Sequence, residues 1–296
     1  MSASVAATDE RRTGLFLLLA TAVMWGLNWP VTKFLVGEVP PLTMRGAAGI
    51  AGAALAFLAA RVAGEGARVS LRQVPRLVLL AVLNIGGWMS LVALSLLWLP
   101  ASEAAILAYT MPIWSALLAW PVLGEKPGLA RTGGLLIGFA GCAVLIAGQP
   151  LRASRDEWPG ILCVLGAASS FALGAVLSKR LPLHLPPITA TAWQVLIGTA
   201  PLLAAGLLLE RTDLGRLTGL GWVGLGYSAV FVLCLSYLAW FGALRRLPAS
   251  TAAVGTLLVP VVGVFSAALL LGEPLGLRQL VALALTLAGI VVATRA

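Results

Sequence analysis

Residues 99–145 read LPASEAAILAYTMPIWSALLAWPVLGEKPGLARTGGLLIGFAGCAVL, and residues 247–293 read LPASTAAVGTLLVPVVGVFSAALLLGEPLGLRQLVALALTLAGIVVA. They align without a gap at an offset of 148, with seventeen of 47 positions identical. An apolar composition supplies Leu and Ala matches by itself. It does not supply Pro100/Pro248, Ser102/Ser250, Pro112/Pro260, Gly124/Gly272, Glu125/Glu273 and Gly141/Gly289 in one register. Upstream, Lys33/Lys179, Pro40/Pro186, Pro41/Pro187 and Thr43/Thr189 pair at an offset of 146. Self-similarity over this length means that the chain is two copies of one module.

The modules belong in lipid. Of 296 residues, 60% are hydrophobic and 10% charged, and the mean hydropathy is +0.99. A soluble domain carries about a quarter charged residues, and no soluble core hides this much apolar surface. About 20 residues cross a bilayer as a helix. The apolar runs and their Pro/Gly breaks predict helices at 13–35, 42–60, 74–97, 101–122, 129–148, 158–179, 187–209, 219–243, 249–271 and 275–294. The expected fold is an all-α membrane protein with ten transmembrane helices arranged as two inverted-topology five-helix repeats. Residues 1–12 form an N-terminal tail, 13–148 the first repeat, 149–157 a linker and 158–294 the second repeat. Five spans are odd in number, so the second module enters the membrane upside down, an arrangement found in secondary transporters. The run from Leu15 onward is of spanning length, so it reads as an uncleaved first helix rather than a signal peptide.

The net charge of +9 does not indicate a nucleic-acid partner, because the basic residues sit between apolar runs rather than on one segment. They report topology instead. With the N-terminus inside, thirteen Lys and Arg lie in inner loops and seven outside. This bias favours cytoplasmic N- and C-termini.

The polar residues within the spans are few. Helix one carries Thr21, Trp25, Asn28 and Thr32 at spacings that share one face. Asn28 lies well inside the span, where an amide needs a partner or water. Asn84 and Trp88 fall one turn apart on helix three, Tyr109 is on helix four, Tyr237 on helix eight and Thr256 on helix nine. Trp25, Asn28, Asn84, Trp88, Tyr109, Tyr237 and Thr256 are therefore the candidate substrate-binding residues of a central cavity. Helix–helix hydrogen bonding is the competing role for each. Pro112 and Pro260 sit mid-helix at paired positions. Each removes a backbone hydrogen bond, which makes them candidate hinges. Ser102 and Ser250 read as helix N-caps, and Glu125 and Glu273 as anchors of helix-ending turns. Lys33 and Arg45 suit either lipid headgroups or an anionic group of a solute. Gly134 and Gly138 form a GxxxG expected to pack within the chain.

Other chemistries find no support. There is no phosphate loop for ATP hydrolysis, and GxSxG and HExxH are lacking. Cys142, Cys163 and Cys234 lie singly in apolar runs, and His184 is the sole histidine. No metal site and no cofactor are expected. No Asp or Glu falls mid-span, the nearest being Glu103, so no coupling ion is indicated.

Trp25-Gly26-Leu27-Asn28-Trp29, Arg45 early in helix two, and the twin blocks ending in Gly124-Glu125 and Gly272-Glu273 together resemble the drug/metabolite transporter superfamily, EamA type. The resemblance spans residues 13 to 294. It implies an exporter in the bacterial inner membrane, with helices one, three, four, six, eight and nine around a central cavity and five and ten peripheral. Helix six has Phe171 and Gly174 where helix one has Trp25 and Asn28, so the polar signature is confined to the first half. The neutral, aromatic character of the proposed cavity points to the family's exporters of neutral and aromatic amino acids, working by alternating access. A multidrug or other metabolite exporter is the alternative, and a membrane enzyme or non-transporting scaffold is the contrasting class. The expected partners are a small-molecule substrate and membrane lipid, with the chain as a monomer.

Overall fold

The structure, a computed structural model, describes residues 2–124, 128–147, 153–211, 213, 215, 217–247 and 255–295. Among these the elements are helical. They are α1 (Ser2–Leu35), α2 (Pro41–Val62), α3 (Val74–Ala81), α4 (Trp88–Ser95), α5 (Ala101–Ala108), α6 (Met111–Leu123), α7 (Leu129–Ala147), α8 (Ala153–Arg180) and α9 (Pro187–Leu209). There follow α10 (Gly219–Tyr227), α11 (Ser236–Leu244), α12 (Leu258–Leu271) and α13 (Leu277–Arg295). Among the described residues, seven spans are long and apolar enough to cross a membrane: Glu10–Leu35, Pro41–Val62, Val74–Ser95, Ala101–Leu123, Glu157–Arg180, Pro187–Leu209 and Gly219–Leu244. Three shorter apolar helices are Thr132–Leu145, Leu258–Leu271 and Leu277–Val292. The chain is a multi-pass helical membrane protein. Ser250, Glu125, residues 149–152 of the expected linker and the start of the ninth expected helix lie outside the described residues.

Local chemistry sets the helix ends. Pro40, Pro100 and Pro186 hold extended backbone immediately before α2, α5 and α9, and a proline at the first helical turn is pre-set for entry. Gly124 and Gly272 close α6 and α12 at φ 77° and 67°. This left-handed conformation favours glycine.

Pro112 and Pro260 break their helices at equivalent places. α5 stops at Ala108 and α6 starts at Met111, with Tyr109 and Thr110 between them. The turn at Leu257, 148 residues after Tyr109, precedes α12 in the same way. Pro112 cannot donate to the carbonyl of the preceding turn. Beside the break, the Thr110 hydroxyl (2.6 Å) and backbone N–H (3.2 Å) both donate to the Leu107 carbonyl. Two π-helical stretches, Val82–Gly87 between α3 and α4 and Ser228–Leu235 between α10 and α11, stand 146 residues apart. No residue pattern announced them.

The packing is paired too. α1 lies against α11 and α12, and α8 against α4 and α6. α2 meets α9, and each of these two also meets a π-helical stretch, Ser228–Leu235 for α2 and Val82–Gly87 for α9. α7 meets α13. Glycine permits the close approaches: a Cβ on Gly49 would meet Thr199, and one on Gly206 would meet Thr43. A Cβ on Gly289 would meet the Gly138 nitrogen at 2.5 Å and the Gly134 carbonyl at 2.7 Å, so the GxxxG packs within the chain.

Carboxylates from distant segments cap helix starts. Glu273 accepts from the backbone N–H of Ala101 (2.6 Å) and Ser102 (2.9 Å) and from the Ser102 hydroxyl (2.6 Å). Ser102 is therefore not the N-cap of α5. Pro100 holds that position without a side-chain bond, and the free N–H groups are satisfied by Glu273 instead. Glu210 does the same for α2, accepting from Leu42 N–H (3.0 Å), Thr43 N–H (2.8 Å) and the Thr43 hydroxyl (2.8 Å). Glu65 accepts from Thr189 N–H at 2.8 Å near the start of α9. Glu38 accepts from Thr218 N–H (3.2 Å) and hydroxyl (2.7 Å) just before α10.

Candidate functional site

A cavity of about 430 Å³ lies among the helices, a size at which small-molecule sites are found. α1 contributes Trp25, Asn28, Trp29 and Thr32 to its wall. Trp88, Met89 and Val92 come from α4, Phe171 from α8, and Tyr237 and Trp240 from α11. The two helix breaks add Tyr109 with Met111 and Pro112 on one side, and Thr256 with Leu257 on the other. Val232 of a π-helical stretch, Arg45 of α2 and Ile290 of α13 complete it.

Of the sequence-predicted residues, the structure places Trp25, Asn28, Trp88, Tyr109, Tyr237 and Thr256 on this wall. Asn84 is elsewhere. Its Nδ2 donates to Gln194 Oε1 at 3.2 Å, and its Oδ1 occupies the space that a Cβ on Gly174 would need. Gly174 stands 146 residues after Asn28, and the missing side chain on α8 is what admits Asn84. Pro112 lines the cavity, while Pro260 is buried in α12 and is not on the wall.

The expected ring of helices one, three, four, six, eight and nine needs enlarging, because helix two supplies Arg45 and the last helix Ile290. Arg45 reaches the wall because its side chain is long. The sequence offered its charge as a signal, but not its burial. Phe171 was legible as the counterpart of Trp25, and Trp240 as an aromatic residue three positions after Tyr237 on the same helix.

The aromatic rings are mutually braced. Trp25 meets Tyr237 edge-on, with centroids 5.5 Å apart, and leans on Trp240 at 6.0 Å. Trp88 leans on Phe171 at 5.3 Å. Such contacts fix ring planes beyond what area burial alone provides. The polar wall is a short chain. An Arg45 terminal nitrogen donates to the Thr32 hydroxyl at 3.1 Å, and that hydroxyl donates to Asn28 Oδ1 at 3.3 Å.

Lys33 faces the other way, donating to the carbonyls of Leu96 (2.6 Å) and Leu99 (2.9 Å), where the run of α4 ends. Glu103 is buried off the cavity wall, accepting from Arg278 at 2.6 Å and Gln279 at 3.3 Å. Thr21 and Tyr227 tie helices together, through the Ser236 and Met24 carbonyls respectively.

An apolar, aromatic chamber with a few fixed hydrogen-bonding groups, held between helices of a multi-pass membrane protein, is the anatomy of a solute carrier. The EamA-like transporter family matches the chain twice, over residues 12–147 and 158–295; the chain belongs to that family and is a transporter rather than an enzyme. It is 31% identical over 281 residues to an uncharacterized transporter, YvbV, of Bacillus subtilis (strain 168), covering 95% of this chain and 91% of that one. It is 30% identical over 292 residues to a probable amino-acid metabolite efflux pump of Salmonella typhimurium (strain LT2), covering 95% and 94%. A crystal structure superposes with a TM-score of 0.70 at 21% identity, over 96% of this chain and 97% of that one, a likeness of fold.

Proposed function

We propose that the protein exports small metabolites, neutral and aromatic amino acids foremost, across a bacterial inner membrane by alternating access. The observation that carries this reading is the aromatic cavity of about 430 Å³ walled by helices from both sequence repeats. The amino-acid class is further supported by the efflux pump named above.

The reading treats the chain as ten spans in two inverted five-helix repeats, residues 13–148 and 158–294, with both termini cytoplasmic. Its support is the double family match, the paired helix packing and the matched breaks at Tyr109 and Leu257. Two modules of opposite orientation can exchange conformations at similar energy, which exposes the site between them to each side in turn. The breaks before Pro112 and Pro260 then serve as hinges, because a helix with a missing hydrogen bond bends there most easily. Trp25, Asn28, Trp88, Tyr109, Tyr237 and Thr256 contact the solute, and Asn84 holds the π-helical stretch Val82–Gly87 against α9.

Counterflow in sealed proteoliposomes tests the function. Vesicles loaded with unlabelled solute are expected to accumulate external labelled threonine, methionine, phenylalanine or tryptophan without an ion gradient. Asn28→Ala is expected to lower the initial rate about tenfold, the effect of losing one hydrogen bond of about 1.4 kcal/mol, in a protein that remains monodisperse. Flux of cationic drugs or sugars with none of amino acids overturns the substrate class; no flux of any solute overturns the carrier.

A further inference from the structure

Arg45 is the anomaly of the cavity. It lies about one turn from the start of α2, is 4% exposed, and lines the chamber. Its bond to the Thr32 hydroxyl is to a neutral group. Its Nε is buried without a hydrogen-bond partner. Among the described residues the ion pairs are Arg246–Glu10 and Arg278–Glu103, so no described carboxylate meets Arg45. A buried guanidinium without a counter-ion is costly, and in membrane proteins such groups mark solute pathways. The planar fork of Arg matches a carboxylate with two parallel hydrogen bonds.

We propose that Arg45, oriented by Thr32, is the recognition site for the carboxylate of the transported solute, and that the solute is a monocarboxylate with an apolar or aromatic body. This rests on the carrier reading above and narrows its substrate class. The described wall carries a cation but no Asp or Glu, so an amino group on the solute gains no ion pair there. It meets Asn28 and the faces of Trp25 and Tyr237, which attract cations only weakly. The carboxylate is thus the discriminating handle. A cation lacking one is repelled by Arg45, which excludes amines and cationic drugs. A phosphate dianion calls for a second cation, and Lys33 is engaged with the Leu96 and Leu99 carbonyls instead.

Calorimetric titration of the purified full-length chain with phenylalanine, 3-phenylpropionate and phenethylamine separates the handles. Phenylalanine and 3-phenylpropionate are expected to bind, with phenethylamine at least about tenfold weaker. Arg45→Gln is expected to weaken both carboxylates by about tenfold or more, and Arg45→Lys to restore part of the loss. Phenethylamine binding as tightly as 3-phenylpropionate, no binding of either carboxylate, or an unaltered Arg45→Gln protein each overturns the proposal. If Arg45→Gln does not fold, Thr32→Val replaces it, with a smaller loss expected for the carboxylates alone. The wild-type comparison of the three probes decides in either case. Binding in the expected order with no counterflow overturns the carrier while leaving the Arg45 site standing.

Discussion

Glu273 shows how much a single side chain settles in this molecule. It begins where α12 has ended, yet it satisfies two backbone N–H groups and a hydroxyl at the start of α5. In lipid an unmatched N–H has no water to turn to, so such a cap matters more than on a soluble surface. Glu273→Gln keeps the shape but turns one acceptor into a donor facing N–H groups. It is expected to cost about 1–3 kcal/mol, read as a lower Tm in a thermal unfolding scan of the purified protein. An unchanged Tm means that solvent already serves those groups. The carboxylate's place near a helix-ending turn was legible from the Gly-Glu pairing. Its partner was not, because the capped helix starts about 170 residues away in sequence and only packing brings the two together. Arg45 carries the same lesson: its charge is written in the sequence, and its isolation from every described carboxylate is a fact of the fold.

Among the elements, the helix breaks and the glycine seams divide the work between motion and cohesion. Pro112→Ala with Pro260→Ala restores two continuous helices. Solute affinity is expected to change little, while the exchange rate in counterflow falls severalfold; a rate equal to wild type removes the hinge role. The seam between α7 and α13 is the static counterpart. In Gly289→Ala the new Cβ meets backbone atoms of Gly138 and Gly134, which cannot rotate away. A loss of about 1–3 kcal/mol is expected from this overpacking, visible as a lower Tm, and a neutral result would mean that the seam is loose. Helical periodicity and Pro/Gly punctuation located most of these elements in advance. The π-helical stretches escaped because one extra residue per turn leaves no mark on an already apolar run. They shift the faces presented by α4 and α11, the helices that bring Trp88 and Tyr237 to the cavity.

Across the whole molecule, the proposed ten-span topology with cytoplasmic termini says which loops face which side. In a chain with Cys142, Cys163 and Cys234 replaced, single cysteines at Arg211 and Arg68 probe two exposed loops. A membrane-impermeant thiol reagent added to intact cells is expected to label Arg211→Cys and spare Arg68→Cys. Labelling of Arg68→Cys alone inverts the orientation, and labelling of both sites by the external reagent breaks the topology.

The sequence by itself determined that this chain lives in a membrane, that it is helical, and that its two halves repeat. Lipid imposes the first two through hydropathy and backbone hydrogen bonding, both local properties of a linear chain, and a repeat is visible wherever Pro, Gly and Glu recur in register. Only the tertiary structure decided which polar residues share the cavity. Asn28 and Asn84 are both amides inside apolar spans, yet one lines the chamber and the other turns to Gln194. The difference arises from a glycine on a third helix, because side-chain placement in a close-packed interior depends on the space that neighbours leave.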